Sequence, residues 1–320
     1  MASATPYTRG LHEVGDGLYA YLQPDGGWGW SNAGLVGEGE HALLIDTLFD
    51  RALTERMLSD MRRALPKRAR IETLVNTHAN GDHCYGNQFV GSARVVASER
   101  AAAEMAELPP QAMAALVEQA PQMGALGEFF LSCFGAFDFR GIELRLPDDT
   151  FSGELTLHVG TREVRLLEVG PAHTRGDTLA WLPAERVLYS GDILFNGAHP
   201  IAWAGPVSNW IAACDRILAL APETIVPGHG PLATVADVQE LKAYFEYLYE
   251  RAKQCHADGM TPPQAARSLS LDRWARWGER ERLVVNVAGI YAELEPDGEP
   301  LGALAAFQAM AEMATGDQPG

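Results

Sequence analysis

Four short stretches of the chain carry residues able to hold a metal ion. The densest is THANGDH, where His78, Asn80, Asp82 and His83 fall within six residues on a turn after an apolar run. A tight turn can aim several side chains at one point, and a cation requires that convergence. Taken alone, the cluster reads equally well as a helix cap or an exposed loop. Three further pieces change the weighing. His173 in GPAHTRGD, Asp192 in YSGD and His229 in VPGHG each stand at the end of an apolar run beside small residues. A lone histidine in any of them is ordinarily a surface or capped side chain. Four such pieces together offer imidazole and carboxylate, a donor set that suits zinc, iron or manganese.

In this order the pieces resemble the metallo-β-lactamase superfamily, whose pattern is HxHxDH, then a lone His, a lone Asp and a lone His. The resemblance covers roughly residues 10–235 and includes the early strand ending in Asp46 and Thr47. It implies a four-layer αββα sandwich of the α/β class, with a metal centre at one edge of the sheets and hydrolysis as the common activity. Carried over residue by residue, His78 and His173 bind a first metal. Asp82, His83 and His229 bind a second, and Asp192 bridges the two or serves the second alone. The departure is Asn80, which stands where the pattern has its second histidine. A neutral amide oxygen is a much poorer zinc donor than imidazole, so the expectation is unequal occupancy, with the second site tight and the first weak or empty.

A metal-bound water with its pKa lowered to about 7 gives hydroxide at neutral pH. That hydroxide can attack the carbonyl of an ester, lactone, thioester or amide while the ion or nearby donors hold the oxyanion. Asp82 and Asn80 are the candidate catalytic residues. Asn80 either donates a hydrogen bond to that water or the substrate oxygen, or merely closes the turn, as asparagine commonly does. A vacant first site would leave His78 or His173 free as a general base. Two alternatives stand beside hydrolysis. Two imidazoles and a carboxylate with open positions also resemble the site of non-haem iron oxygenases, giving an iron-dependent oxidoreductase. A scaffold that lost catalysis with its third histidine would only bind a ligand, but every other ligand position is filled.

The elements that must position these groups are legible as apolar runs. Leu18 to Gln23 and Asn32 to Glu38 read as strands joined by the hairpin loop PDGGWGWS. His41 to Thr47 and Ile71 to His78 read as buried strands. Between them, Leu53, Met57, Met61 and Leu65 recur every fourth residue, a helical stripe over about 50–65. Chemistry in layered α/β proteins collects just past strand ends. Residues 98–140, rich in Ala, Met and Phe, read as a helical insertion. Its Met and Phe residues form either a small packed core or a lid over an apolar pocket. Strands resume with IELRLP from Ile142, then ELTLHVG, TREVRLLEVG, TLAWLP and RVLYSGD. A helix spans about 208–220, TIVPGHG is a strand and turn, and residues 236–320 form a helical C-terminal extension, with Thr261 as an N-cap. Such an extension supports a homodimer or covers its own sandwich.

Around the expected centre, Trp28 and Trp30 of the hairpin loop either contact substrate or plug the sheet edge. After Asp192 the chain reads as a loop bearing His199, Trp203 and Trp210; Trp203 is a candidate substrate contact and His199 a residue outside the ligand set. Arg175 either meets an anionic substrate or pairs with an acid such as Asp177. Cys84 is expected to be a packed thiol.

Composition sets outer bounds. With 47% hydrophobic and 21% charged residues over 320 positions the chain can bury a large core. Its net charge of −17 argues against nucleic acid or an anionic membrane as the main partner; a small molecule is expected instead. No run approaches the ~18 apolar residues of a membrane span. The four cysteines form no CxxC pair and no basic leader precedes an apolar run, so reduced thiols in a cytoplasmic protein are expected.

Overall fold

Apolar faces on strands must be buried on something, and here two sheets bury them on each other. The computed structural model describes residues 6–295 and 297–316; the first five, part of the leader reading above, lie outside them. The first half runs β1 (Gly10–Gly15), β2 (Leu18–Leu22), β3 (Ala33–Glu38), β4 (His41–Ile45), α1 (Arg51–Ala64), β5 (Arg70–Val75), α2 (Gly81–Cys84) and β6 (Arg94–Ser98). The insertion follows as α3 (Glu99–Met105), α4 (Pro110–Gln119) and α5 (Gly124–Phe134), before β7 (Asp149–Phe151). The second half runs β8 (Glu154–Val159), β9 (Arg162–Glu168), β10 (Thr178–Leu182), β11 (Val187–Phe195), α6 (Val207–Leu220) and β12 (Thr224–His229). The extension is α7 (Val235–Ala257), α8 (Pro262–Ser268), α9 (Leu283–Leu294) and α10 (Ala303–Gly316).

The first sheet has the order β1-β2-β3-β4-β5-β6-β7 and the second β12-β11-β10-β9-β8. Strands β4 to β7 pair in parallel, as do β11 and β12; the remaining pairs are antiparallel. Leu18, Leu43 and Val75 of one sheet meet Leu166, Leu182 and Tyr189 of the other in the central core. The α1 stripe, Met57, Leu58 and Met61, packs with Leu35, Leu44 and Leu74. On the far side Trp210 and Ile217 of α6 and Leu241 and Phe245 of α7 cover Leu179, Leu188 and Ile225. The result is a four-layer αββα sandwich carrying a helical insertion and a helical extension that covers the sandwich of its own chain. Strands β10 and β11 are buried along their whole length, on both faces.

Caps set the helix limits. The Asp50 carboxylate accepts from Leu53 N at 2.8 Å and starts α1. Thr234 with Asp237 and Thr261 with Gln264 form capping boxes at α7 and α8.

Three sequence expectations need correction. IELRLP is not a strand. Residues 142–147 run off the sheet because Arg145 donates to the Gly91 and Ala93 carbonyls at 2.8 and 2.6 Å, and Ile142 O accepts from Gln111. Pairing starts only at Asp149, beside β6. β1 was not expected: GLHEVG is half polar, and only its edge pairing with β2 makes it a strand. Finally, Asp192 does not close its strand. β11 continues to Phe195, with register shifts against β12 on either side of Gly191. All four cysteines are free and buried. No described helix is long and apolar enough to cross a membrane.

Candidate metal centre

Parallel strands ending side by side deliver polar residues to one sheet edge. β5 delivers Thr77 and His78, and the first turn of α2 delivers Asp82 and His83. The turn between β9 and β10 brings His173, the irregular part of β11 brings Asp192, and the end of β12 brings His229. All six predicted histidines and aspartates converge there, each 8% exposed or less. Asp192 is central. Its Oδ2 lies 3.3 Å from Nε2 of both His173 and His229, and its Oδ1 lies 3.1 Å from His83 Nε2. Asp82 Oδ2 lies 3.3 Å from His229 Nε2. His78 Nε2 is 3.8 Å from Asp192 Oδ2. Gly228 makes the close approach possible, since a Cβ there would lie 1.9 Å from Asp192 Oδ1.

The outer hydrogen bonds decide what the cluster faces inward. His173 Nδ1 donates to the Ile201 carbonyl at 2.7 Å and His229 Nδ1 to the Gly26 carbonyl at 3.1 Å. His83 Nδ1 donates to Asp46 Oδ2 at 3.0 Å. The Thr77 hydroxyl gives its proton to Asp46 Oδ2 at 2.7 Å, so at 3.0 Å from His78 Nδ1 it must accept. Every Nδ1–H is therefore occupied outside the cluster, and each neutral imidazole turns an Nε2 lone pair inward. Four lone pairs and two carboxylates meet with no donor among them except the Asn80 amide. The buried His78 Nε2, His83 Nε2 and Asp192 Oδ1 accordingly have no hydrogen-bond partner among the described residues. An all-acceptor buried cluster is costly unless a cation sits in it, and outer hydrogen bonds of this kind are how proteins orient metal-binding imidazoles. Two groupings, His78–His83–Asp192 and Asp82–His83–His229, have donor atoms close enough to share one ion. The residues present fit a bound metal.

The electrostatics agree. Burial opposes charge at Asp192, but His229, His83, His78 and His173 hold its carboxyl well below the usual carboxylate range. Burial also opposes charge at His83, yet Asp192, Asp82 and Asp46 lift its imidazole well above its ordinary value. The same balance lifts His229 to about 9. Burial, reinforced by neighbouring His83, drives His78 well below its ordinary value, and burial lowers His173. The carboxylates thus favour positive charge at the centre of the cluster.

Asn80 stands at the N-cap of α2 without making a side-chain cap bond. Its Nδ2 donates to His173 Nε2 at 2.9 Å instead, occupying one of the four lone pairs. Asp46 is the residue that sequence reasoning undervalued. It anchors both His83 and, through Thr77, His78, while adopting φ 61°, a backbone conformation that costs a non-glycine residue roughly 1–3 kcal/mol. The Asp-Thr pair at the end of β4 was visible in the sequence, but only as a pattern.

The cluster forms the floor of a cavity of about 490 Å³. Asn80, Asp82, His173, Asp192 and His229 face it, and its other walls are mainly apolar. Met113, Leu116, Phe130 and Phe134 of the insertion form one wall and Leu304 and Phe307 of α10 another. The insertion is thus both a packed core and a cavity wall. Trp28 and Trp203 line the cavity with ring centroids 6.1 Å apart. Trp30 does not: it packs on Phe137 at 4.8 Å, beneath the Arg9 guanidinium. Arg175 does not line it either, because Glu107 and Glu104 draw its guanidinium aside at 2.6 and 3.5 Å. Nor is Asp177 its partner. That carboxylate accepts from Ala172 N and from the Thr174 amide and hydroxyl, while burial pushes it up to about 7. His199 lies outside the cluster, with Nδ1 3.1 Å from the Tyr244 hydroxyl. Cys84 is a packed thiol donating to the Ala79 carbonyl. Sequence reasoning missed the α10 wall and the buried Arg282 beside it, for which no local pattern exists.

Comparison with known proteins identifies the family and the fold. The family model of the metallo-beta-lactamase superfamily matches residues 26–229. A metallo-beta-lactamase type 2 from Bacteroides fragilis is 25% identical over 229 residues, 69% of this chain and 78% of that protein. A linear primary-alkylsulfatase from Pseudomonas is 22% identical over 268 residues, 72% of this chain and 48% of that protein. Among solved structures, a stereoselective inverting sec-alkylsulfatase from Pseudomonas has a TM-score of 0.65 at 18% identity, covering 93% of this chain and 51% of that one. The chain therefore spans about half the length of the alkylsulfatases it is similar to.

Proposed function

The chain belongs to the metallo-β-lactamase superfamily, and from that premise we propose that it is a metal-dependent hydrolase of small molecules with a substantial apolar part. The scissile bond is an ester, lactone, thioester or amide; the likeness to alkylsulfatases adds sulfate esters to that range. The observation that carries the proposal is the inward set of four Nε2 lone pairs and two carboxylates, with every Nδ1 proton held outside it. Zinc is the ion that best suits such a nitrogen and oxygen set, with manganese and iron next.

His83, His229, Asp82 and Asp192 make up the fuller site in this proposal. His78 and His173 make up a weaker one, because Asn80 supplies an amide where a third imidazole would be needed and engages His173 Nε2 itself. When bound, the ion supplies an acidified water and a positive centre for the oxyanion. The protein supplies the rest. The Asp82 carboxylate, at the cavity floor, would take the proton of the attacking water through the oxygen not directed at His229 Nε2. Ser31 holds the residue's backbone by donating to its carbonyl at 2.5 Å. Asn80 Nδ2, also on the floor, turns from His173 to donate to the substrate oxygen. Trp28, Trp203 and the helical walls exclude water and bind the apolar part.

Elemental analysis of gently purified protein, paired with an ester-hydrolysis screen with and without chelator, tests this. One equivalent of metal that survives mild chelation, with chelator-sensitive turnover, is expected. Two equivalents surviving that treatment defeat the unequal sites, and turnover indifferent to metal removal defeats the hydrolase proposal.

A further inference from the structure

Arg282 is a buried cation with no carboxylate partner among the described residues. Its side chain is 1% exposed, yet no described acid forms an ion pair with it. Nη1 donates to the His199 carbonyl at 3.0 Å, and Nε is buried with no hydrogen-bond partner among the described residues. The guanidinium lies between two rings, 4.1 Å from the Trp28 centroid and 5.3 Å from that of Phe195. Neighbouring Glu281 is turned away and accepts from Trp28 Nε1 at 2.9 Å. Glu279 lies within electrostatic range, where Arg282 partly offsets the effect of burial on it. A buried guanidinium with an unused donor is expensive, and packing alone would be served as well by a neutral side chain.

The position of Arg282 gives that cost a purpose. It lines the same cavity as the metal cluster. Phe195, which it faces, stacks flat on His229 with centroids 5.1 Å apart and planes 4° apart. The cation is therefore one ring removed from the cluster and next to the α10 wall, whose Phe307 also packs on Trp28. Three of the large apolar residues that remain exposed, Leu108, Leu301 and Leu304, are also on the cavity lining. The cavity thus offers a guanidinium edge beside the cluster and apolar residues that reach solvent. A guanidinium fork matches the two oxygens of a carboxylate or sulfate.

We propose that Arg282 is a specificity residue that anchors an oxyanion on the substrate, so that the preferred substrates are amphiphilic anions. An alkyl or aryl chain lies along Phe130, Leu304 and Phe307, and a carboxylate or sulfate group sits on Arg282. The proposal takes the bond to be cleaved from the hydrolase reading, but anion recognition does not depend on turnover.

The test is calorimetric binding of octanoate, octyl sulfate and octanol, which share a chain and differ in head group, to the metal-loaded protein. The native protein should bind at least one of the two anions about tenfold more tightly than octanol, the size of one charge-assisted contact. Which anion binds more tightly separates carboxylate from sulfate. In Arg282→Gln, with metal content checked, the preference should shrink to within about twofold, and Arg282→Lys should keep part of it. Native protein binding octanol as well as both anions overturns the proposal, and so does an Arg282→Gln protein with its preference intact. If Arg282→Gln does not fold, the native ratio and the lysine variant still decide. A protein that hydrolyses nothing tested but prefers the anions refutes the hydrolase reading alone.

Discussion

The floor and the roof of the cavity are built on opposite principles. On the floor, six acids and imidazoles come from strand ends and one short helix, and each of the four imidazoles is fixed by a hydrogen bond to something outside the cluster. The roof is made of helices from the insertion and the extension, held by ring packing such as Trp203 on Phe307 at 5.8 Å and Phe130 on Phe134 at 4.9 Å. Directional bonds position a floor that must keep its geometry. Apolar contacts tolerate exchange of side chains of similar volume, so a roof of this kind can change its substrate while the floor keeps its chemistry. Substitutions on the floor should therefore abolish function, and substitutions on the roof should redistribute it.

The largest effect is expected at the centre of the floor. Asp192→Ala removes the carboxylate shared by His83, His173 and His229, and elemental analysis should find the metal lost and hydrolysis at background. Acid comes next. His83 and His229 hold protons more tightly than ordinary imidazoles in the metal-free cluster. A metal must displace those protons, so its affinity falls as pH falls below about 9, by about tenfold per pH unit for each proton released. Metal titrations in buffers of different ionisation enthalpy should count those protons, and an affinity flat between neutral and mildly alkaline pH would contradict the account. Asp46→Asn acts only through His83 and Thr77, and should weaken metal affinity by roughly 10–100-fold while leaving the metal equivalents at saturation unchanged. The smallest effect belongs to the roof. Phe307→Ala should raise KM for long-chain esters roughly tenfold and that for acetyl esters hardly at all. Equal losses on short and long substrates would mean that the roof serves the chemistry as well.

The same contrast explains what could be read from the sequence. Floor residues follow apolar runs within a few positions, so His78, Asp82, His83, His173, Asp192 and His229 were all legible, and the sandwich with them. The roof depends on contacts between distant segments. Trp28 bonds to Glu281 across 253 positions of sequence, and Phe307 reaches Trp203 from the last described helix. No local period announces such pairs. Trp30 and Arg175 were misplaced for the same reason: Phe137, Arg9, Glu104 and Glu107 capture them, and none of those partners is implied by the motifs. Residues 142–147 have a strand's alternation, but Arg145 spends its donors on loop carbonyls and holds them off the sheet.

Anomalous diffraction from crystals of the zinc-loaded protein tests the central claim most directly. The account predicts a strong peak ringed by Asp82, His83, Asp192 and His229, a weaker peak or none beside His78 and His173, and each Nδ1 still bonded to its outer partner. Zinc found elsewhere, or imidazoles turned so that their Nδ1 atoms face the ion, would contradict it.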